Sequence, residues 1–220
     1  MIFGYPASYG DYDSEVMPLE YMFSSVARPL YGVKDVDGIS LLVLFGGEDI
    51  GTCWYNERPV YSHGGLGPSA RERTEVQLID RCIERGIPIL GICRGAQFMC
   101  AYLGGKVWQH VDNHAGNDHR MFVWAEEGME GRYYTTNSYH HQMMIPSPEM
   151  EVIAEVLDPL SRRKCSEVPR NPSDEPEAEI VYHAGKKVLM IQGHPEWVVE
   201  EHDLWKLTRK LVKDLLCLSF

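Results

Sequence analysis

Pro88-Ile89-Leu90-Gly91-Ile92-Cys93-Arg94-Gly95-Ala96-Gln97-Phe98-Met99-Cys100-Ala101-Tyr102-Leu103-Gly104-Gly105 is the stretch on which the fold turns. Its first five residues form a short apolar run of the kind that makes a strand buried on both faces. From Ala96 to Leu103 the pattern is helical, and Gly104-Gly105 closes it. A buried strand that passes at once into a helix is half of a βαβ unit, and it points to a parallel α/β sheet.

The same alternation continues outward. Upstream, Leu41-Leu42-Val43-Leu44-Phe45 reads as another buried strand that stops at Gly46-Gly47. A long loop rich in Gly, Tyr and Trp follows from Glu48 to Pro68. Ser69-Ala70-Arg71-Glu72 is a capping-box signature for the next helix. Val76, Ile79 and Ile83 recur there at helical spacing, with Leu78 and Cys82 alongside, and Gly86 is placed to end it. Downstream, Lys106 to Ile145 reads as strands and loops, and Asp158 to Pro176 as a polar, proline-bearing surface loop. Ile180 to Ile191 reads as a hairpin turning at Ala184-Gly185. Leu204, Leu207, Leu211 and Leu215 share one face of a C-terminal helix. No repeat or domain boundary is visible, so residues 1–220 are expected to form a single domain.

Composition narrows the function classes. A formal net charge of −11 repels phosphate backbones and argues against nucleic-acid binding. The basic cluster Arg162-Arg163-Lys164 is short and reads as solvated loop. No apolar run reaches a membrane-spanning length, and Met1 to Pro6 lacks the regions of a signal peptide, so a cytoplasmic protein is expected. The six cysteines form no C-x-x-C pair and read as free thiols.

One of those thiols has a distinctive setting. Gly91-Ile92-Cys93-Arg94-Gly95 lies at the strand-to-helix turn, the context of a nucleophile elbow with cysteine as nucleophile. Such a turn strains the backbone and needs small neighbours, and glycines two before and two after Cys93 meet that need. The helix N-terminus favours a thiolate, and the Arg94 N–H can face a developing oxyanion. Gly193-His194-Pro195-Glu196 follows the strand Val188–Gln192. Strand C-termini of a parallel sheet meet at one edge, so His194 can reach Cys93 there and Glu196 can orient its ring.

Gly-Ile-Cys-Arg-Gly-Ala-Gln at 91–97 together with His-Pro-Glu at 194–196 resembles the class I glutamine amidotransferase domain. Gly46-Gly47-Glu48-Asp49-Ile50 is similar to the family's oxyanion-hole glycine pair. Asn137-Ser138-Tyr139-His140-His141-Gln142 is similar to its segment that holds the substrate's α-carboxylate and amine. Within the family the pattern is most similar to the γ-glutamyl hydrolases, including γ-glutamyl-γ-aminobutyrate hydrolase. The resemblance runs from Leu41 to Trp197 and implies a three-layer α/β fold with a mostly parallel, open, flavodoxin-like sheet. It implies a Cys93–His194–Glu196 triad, oxyanion N–H groups from Gly47 and Arg94 with Gly46 shaping the loop, and glutamyl-pocket roles for Gln97, Ser138, Tyr139 and His140. It also implies a γ-glutamyl thioester that is then hydrolysed, a small-molecule γ-glutamyl substrate, and no metal or organic cofactor. Two departures bear on the leaving group: the long polar loop Asp158–Pro176 and the loosely similar region Tyr5–Ser40.

Two other function classes stay open. A glutaminase subunit would pass ammonia to a separate synthetase, since the chain has no G-x-x-x-x-G-K-[ST] loop of its own. A non-catalytic binding module would use the same pocket. Weaker signals read blandly. His110, His114 and His119 with Asp112 and Asp118 match no compact metal-ligand spacing and read as a polar loop near the pocket. His141 either assists binding or packs under Ser138. Trp54, Tyr55 and Tyr61 form either a leaving-group wall or a packed surface loop. Arg71, Glu72, Arg73 and Glu75 read as a solvated helix face with local ion pairs.

Overall fold

The computed structural model describes residues 1–7, 10–124 and 131–220; residues 8–9 and 125–130, within the Tyr5–Ser40 and Lys106–Ile145 regions, lie outside them. Thirteen strands are present among the described residues: β1 Ile2–Pro6, β2 Val26–Leu30, β3 Leu41–Leu44, β4 Ile89–Ile92, β5 Lys106–Trp108, β6 His110–Val111, β7 His119–Val123, β8 Arg132–Thr136, β9 Met143–Ile145, β10 Glu151–Val156, β11 Lys164–Cys165, β12 Glu177–His183 and β13 Val188–Ile191. The α-helices are α1 Met17–Met22, α2 Ala70–Arg85, α3 Arg94–Tyr102 and α4 Asp203–Leu215.

Nine strands make one sheet in the order β2-β1-β3-β4-β13-β12-β10-β7-β8. The first five run parallel, in the 2-1-3-4-5 order of flavodoxin-like sheets. The last four extend the sheet by antiparallel pairing. Alternate side chains of the parallel strands enter two cores. Leu41, Val43, Leu90, Ile92, Leu189 and Ile191 pack against α1 and α4. Leu42, Leu44, Ile89, Val188 and Met190 pack against α2 and α3. The period of two along a strand thus produces the expected three layers.

The local signals act as their chemistry requires. Ser69 and Glu72 close a capping box at the start of α2, and Gly86 ends it at φ 67°. The hairpin turn spans Ala184–Lys186, longer than the two-residue turn expected, with Lys187 left-handed at φ 55°. All six cysteines are free. The Asp158–Pro176 loop is more structured than its composition suggests, because β11 pairs with β6. The Arg162-Arg163-Lys164 cluster is correspondingly not fully solvated. The Lys164 ammonium is buried 3.5 Å from Glu177, and donates to the carbonyls of Pro172 and Glu175 at 3.2 and 3.3 Å. No helix among the described residues is long and apolar enough to cross a membrane.

Candidate active site

Three neighbouring parallel strands, β3, β4 and β13, end at the same edge of the sheet. Gly46-Gly47 follows β3, Cys93 follows β4 and His194 follows β13. Adjacent strands bring together residues that lie far apart along the chain, as the parallel-sheet rule requires.

Cys93 has φ 51° and ψ −106°, a conformation that L-residues avoid and that costs roughly 1–3 kcal/mol. The flanking glycines are sterically obligatory. A Cβ on Gly91 would stand 2.6 Å from the Gly95 carbonyl oxygen, and one on Gly95 would stand 2.2 Å from that of Leu44. The Cys93 N–H donates to the Ile191 carbonyl at 2.8 Å, tying the elbow to β13.

His194 is held on every side. Its N–H donates to Asn137 Oδ1 and its carbonyl accepts from Asn137 Nδ2, both at 2.8 Å. Its Nδ1 lies 2.7 Å from Glu196 Oε1, and Trp197 stacks flat on the ring with centroids 3.7 Å apart. Burial works against its charged form, but the neighbouring Cys93 and Glu196 outweigh burial and push His194 up to about 10. A raised folded-state value stabilises the fold while the group is protonated in both states, below pH 6.5, and that contribution is lost as pH rises toward about 10. NMR titration of the imidazole should therefore give a midpoint well above the ordinary histidine range. In Cys93→Ala the midpoint should fall, and melting temperature should decline less steeply between pH 6.5 and 10 than in the wild type.

Gly46 packs directly on this pair, since a Cβ there would lie 2.8 Å from His194 Cε1. Gly47 adopts φ 136°. Arg71 donates to the carbonyls of Phe45 and Gly46, each at 2.9 Å, and so fixes both peptide planes. In a trans peptide the N–H points opposite the carbonyl, which turns the Gly47 N–H away from Arg71.

Of the helix face expected to be solvated, Arg73 is exposed and the local ion pair Arg71–Glu75 forms, but Glu72 and Glu75 belong to an internal ion network. Glu72 and Glu75 have 0% exposure. Glu75 pairs with Arg71 at 2.8 Å and with the Arg94 guanidinium, which also lies 3.5 Å from Glu72. Glu72 further accepts from the N–H groups of Gly51 and Ser69 at 2.7 and 2.6 Å. These charged groups compensate one another in the interior, so their polarity carries no information about exposure.

The remaining expected site residues divide. Tyr139 stands exposed beside His194 and Trp197. Gln97 is buried, with Nε2 donating to the Gln142 carbonyl at 3.1 Å and to Gln192 Oε1 at 3.3 Å. Ser138 is fully buried. The His140 ring turns inward, toward Glu179 at 3.7 Å, and its Nδ1 lies 2.8 Å from the Gln142 carbonyl. His114, in the loop after β6, and His119, in β7, join that interior group and do not line a polar loop at the pocket. His114 Nε2 lies 3.2 Å from Glu177, and His119 Nε2 lies 3.0 Å from Glu179. His141 bonds Asp49 Oδ1 at 2.8 Å and lines the cleft beside Gly47. Trp54 packs edge-on against Phe98 and Tyr55 is buried, as in a packed loop, whereas Tyr61 is exposed. An open cleft of about 460 Å³ starts at Gly47 and is lined by Glu48, Asp49, His63 and His141. Asn137, Trp197 and Arg71 contact the candidate site in ways that sequence reasoning missed. Asn137 alone carries a signal, as the first residue of the segment 137–142.

Residues 29–160 match the Peptidase C26 family, and the chain belongs to this class I glutamine amidotransferase-like family. It is 28% identical over 183 residues to the glutamine amidotransferase-like protein YvdE of Lactococcus lactis, covering 75% of this chain and 70% of that protein. A shorter match, 33% over 103 residues, is to the gamma-glutamyl-CDP-amidate hydrolase of Campylobacter jejuni, covering 47% of this chain and 43% of that one. Among solved structures, PurLQS from Thermotoga maritima shares the fold with a TM-score of 0.63 at 17% identity, covering 96% of each chain.

Proposed function

We propose that the chain hydrolyses a γ-glutamyl amide, with Cys93 as nucleophile, His194 as proton carrier and Glu196 as the group that orients His194. The observation that carries this reading is the pairing of a strained elbow cysteine with an imidazole whose far nitrogen is 2.7 Å from a buried carboxylate. Cys93 sulfur attacks the γ-carbonyl carbon as a thiolate, forming a C–S bond, and the carbonyl oxygen becomes an oxyanion. The N–H groups of Gly47 and Arg94 receive that charge, each donor contributing about 3–4 kcal/mol to the transition state. The C–N bond then breaks, with the His194 proton going to the leaving amine. Water, deprotonated by His194, attacks the thioester, and glutamate leaves with Cys93 regenerated.

The 137–142 segment and Gln97 shape the glutamyl end of the site, and the cleft beyond Gly47 is open to the leaving group. The likeness to a gamma-glutamyl-CDP-amidate hydrolase supports hydrolysis, with the amide's leaving group to be found by assay. Incubation with a glutamine-like chloromethyl or diazo ketone, followed by mass spectrometry, should give one adduct on Cys93 in the wild type and none in Cys93→Ser. A panel of γ-glutamyl amides then identifies the leaving group. An adduct with no hydrolysis of any amide alone, but turnover with an added synthetase, would replace this reading with a glutaminase subunit. No adduct on Cys93 under either condition would leave only a binding module.

A further inference from the structure

Behind the site, His114, His140 and Glu179 form a fully interior triangle whose donor atoms all lie within 4.8 Å of one another. Their exposures are 0%, 2% and 1%. Strand β12 supplies Glu179, the loop after β6 supplies His114, and the segment after β8 supplies His140. His114 Nε2 faces Glu177 Oε2 at 3.2 Å, and His140 Nδ1 faces the Gln142 carbonyl at 2.8 Å. Both partners are acceptors, so those ring nitrogens carry the protons. With both rings neutral, His114 Nδ1 and His140 Nε2 are left as lone pairs turned toward the Glu179 carboxylate, 3.5 and 3.7 Å from Oε1, which also accepts from His119 Nε2 at 3.0 Å. Neither nitrogen has a hydrogen-bond partner among the described residues, and Glu179 Oε2 is also without one.

Two lone pairs and a carboxylate facing one another across a buried space repel unless a cation lies between them. The separations exceed a charge-assisted hydrogen bond, normally about 2.7–2.9 Å. They lie a few tenths of an ångström above the ~3.3–3.4 Å edge of a tetrahedron around an ion with metal–nitrogen bonds of about 2.0–2.1 Å, so a small inward shift of the donors would seat it. The outer hydrogen bonds of both imidazoles, to a carboxylate and to a backbone carbonyl, are of the kind that fixes the tautomer of metal-binding histidines. We infer that His114, His140 and Glu179 bind one divalent transition ion of zinc type, with a water as fourth ligand. Two imidazoles and one carboxylate disfavour the hard, all-oxygen ions magnesium and calcium. The ion joins β12 to the loop after β6 and to the segment 137–142. Through the Gln142 carbonyl it also braces Gln97, one turn after Cys93.

A second group, Asp49, His63 and His141, offers metal-type donors at the surface, so the test must separate the two. Full-length protein is unfolded in guanidinium with chelator, refolded with or without zinc chloride, desalted and measured by mass-spectrometric metal analysis. The expected result is about one zinc per wild-type chain, retained in His63→Ala and reduced at least tenfold in His140→Gln. Cobalt(II) refolded in place of zinc should give the intense visible absorption of a tetrahedral site in wild type and in His63→Ala. Should His140→Gln fail to fold, wild type against His63→Ala still decides. Wild-type protein that refolds and holds no zinc would overturn the proposal in favour of a proton-held network, and zinc lost from His63→Ala would assign it to the surface group instead.

Discussion

Cys93→Ser should lower kcat for a γ-glutamyl amide by roughly four to six powers of ten, the range seen when a nucleophile that works as a unit with its base is removed. Serine fits the site: it is nearly isosteric and keeps the elbow geometry, so Gly91 and Gly95 still clear their neighbours. What is lost is sulfur chemistry. A hydroxyl ionises far less readily than a thiol and is a weaker nucleophile beside the same imidazole–carboxylate pair. Glu196→Gln should fall by about 10⁴ with little change in fold, because an amide can hold the His194 ring without stabilising its charge. Steady-state and single-turnover kinetics on both variants, with melting curves as a control for folding, read these effects. A Cys93→Ser enzyme retaining a tenth of wild-type turnover would show that the reaction does not pass through this sulfur.

Arg94→Leu is expected to destabilise the protein by about 3–5 kcal/mol, because it leaves two buried carboxylates facing an apolar side chain. In a chain of this size that is a fall in melting temperature of roughly 6–20 °C. The cause is specific. Arg94 is 3% exposed, and its guanidinium lies between Glu72 and Glu75, over the face of Phe98 at 4.8 Å. Glu72 keeps compensation from the N–H groups of Gly51 and Ser69, so Glu75 is the group most exposed to the loss. Pairing Arg94→Leu with Glu75→Gln should recover part of the stability, since a glutamine oxygen can still accept from Arg71 and no longer carries a buried charge. Thermal denaturation of the single and double variants checks this; equal melting temperatures would mean that Glu75 is not the strained group. Glu75 also bridges Arg71, which holds the Phe45 and Gly46 carbonyls, to Arg94, which opens α3. One interior network therefore supports both the glycine pair and the elbow. The single variant should lose activity at temperatures where it remains folded.

Local chemistry alone determines a large part of this protein. The run from Pro88 to Gly105 encodes strand, elbow and helix through its apolar pattern and through Gly91 and Gly95, which no bulkier side chain can replace. The capping box at Ser69, the left-handed Gly86 and the leucine face of α4 are likewise short-range, set by periodicity and by what a helix end needs. His194 and Glu196 lie two residues apart, so their meeting is implicit in the spacing. Tertiary structure alone decides the rest. Glu72, Glu75 and Arg94 read as solvated charges or as backbone donors until α2 packs against the start of α3. His114, His119 and His140 look unrelated until the antiparallel half of the sheet brings Glu179 between them. Asn137 becomes the clamp on His194 only across 57 residues of chain. A polar side chain reads the same in sequence whether water or a distant partner satisfies it, and only the folded chain determines which.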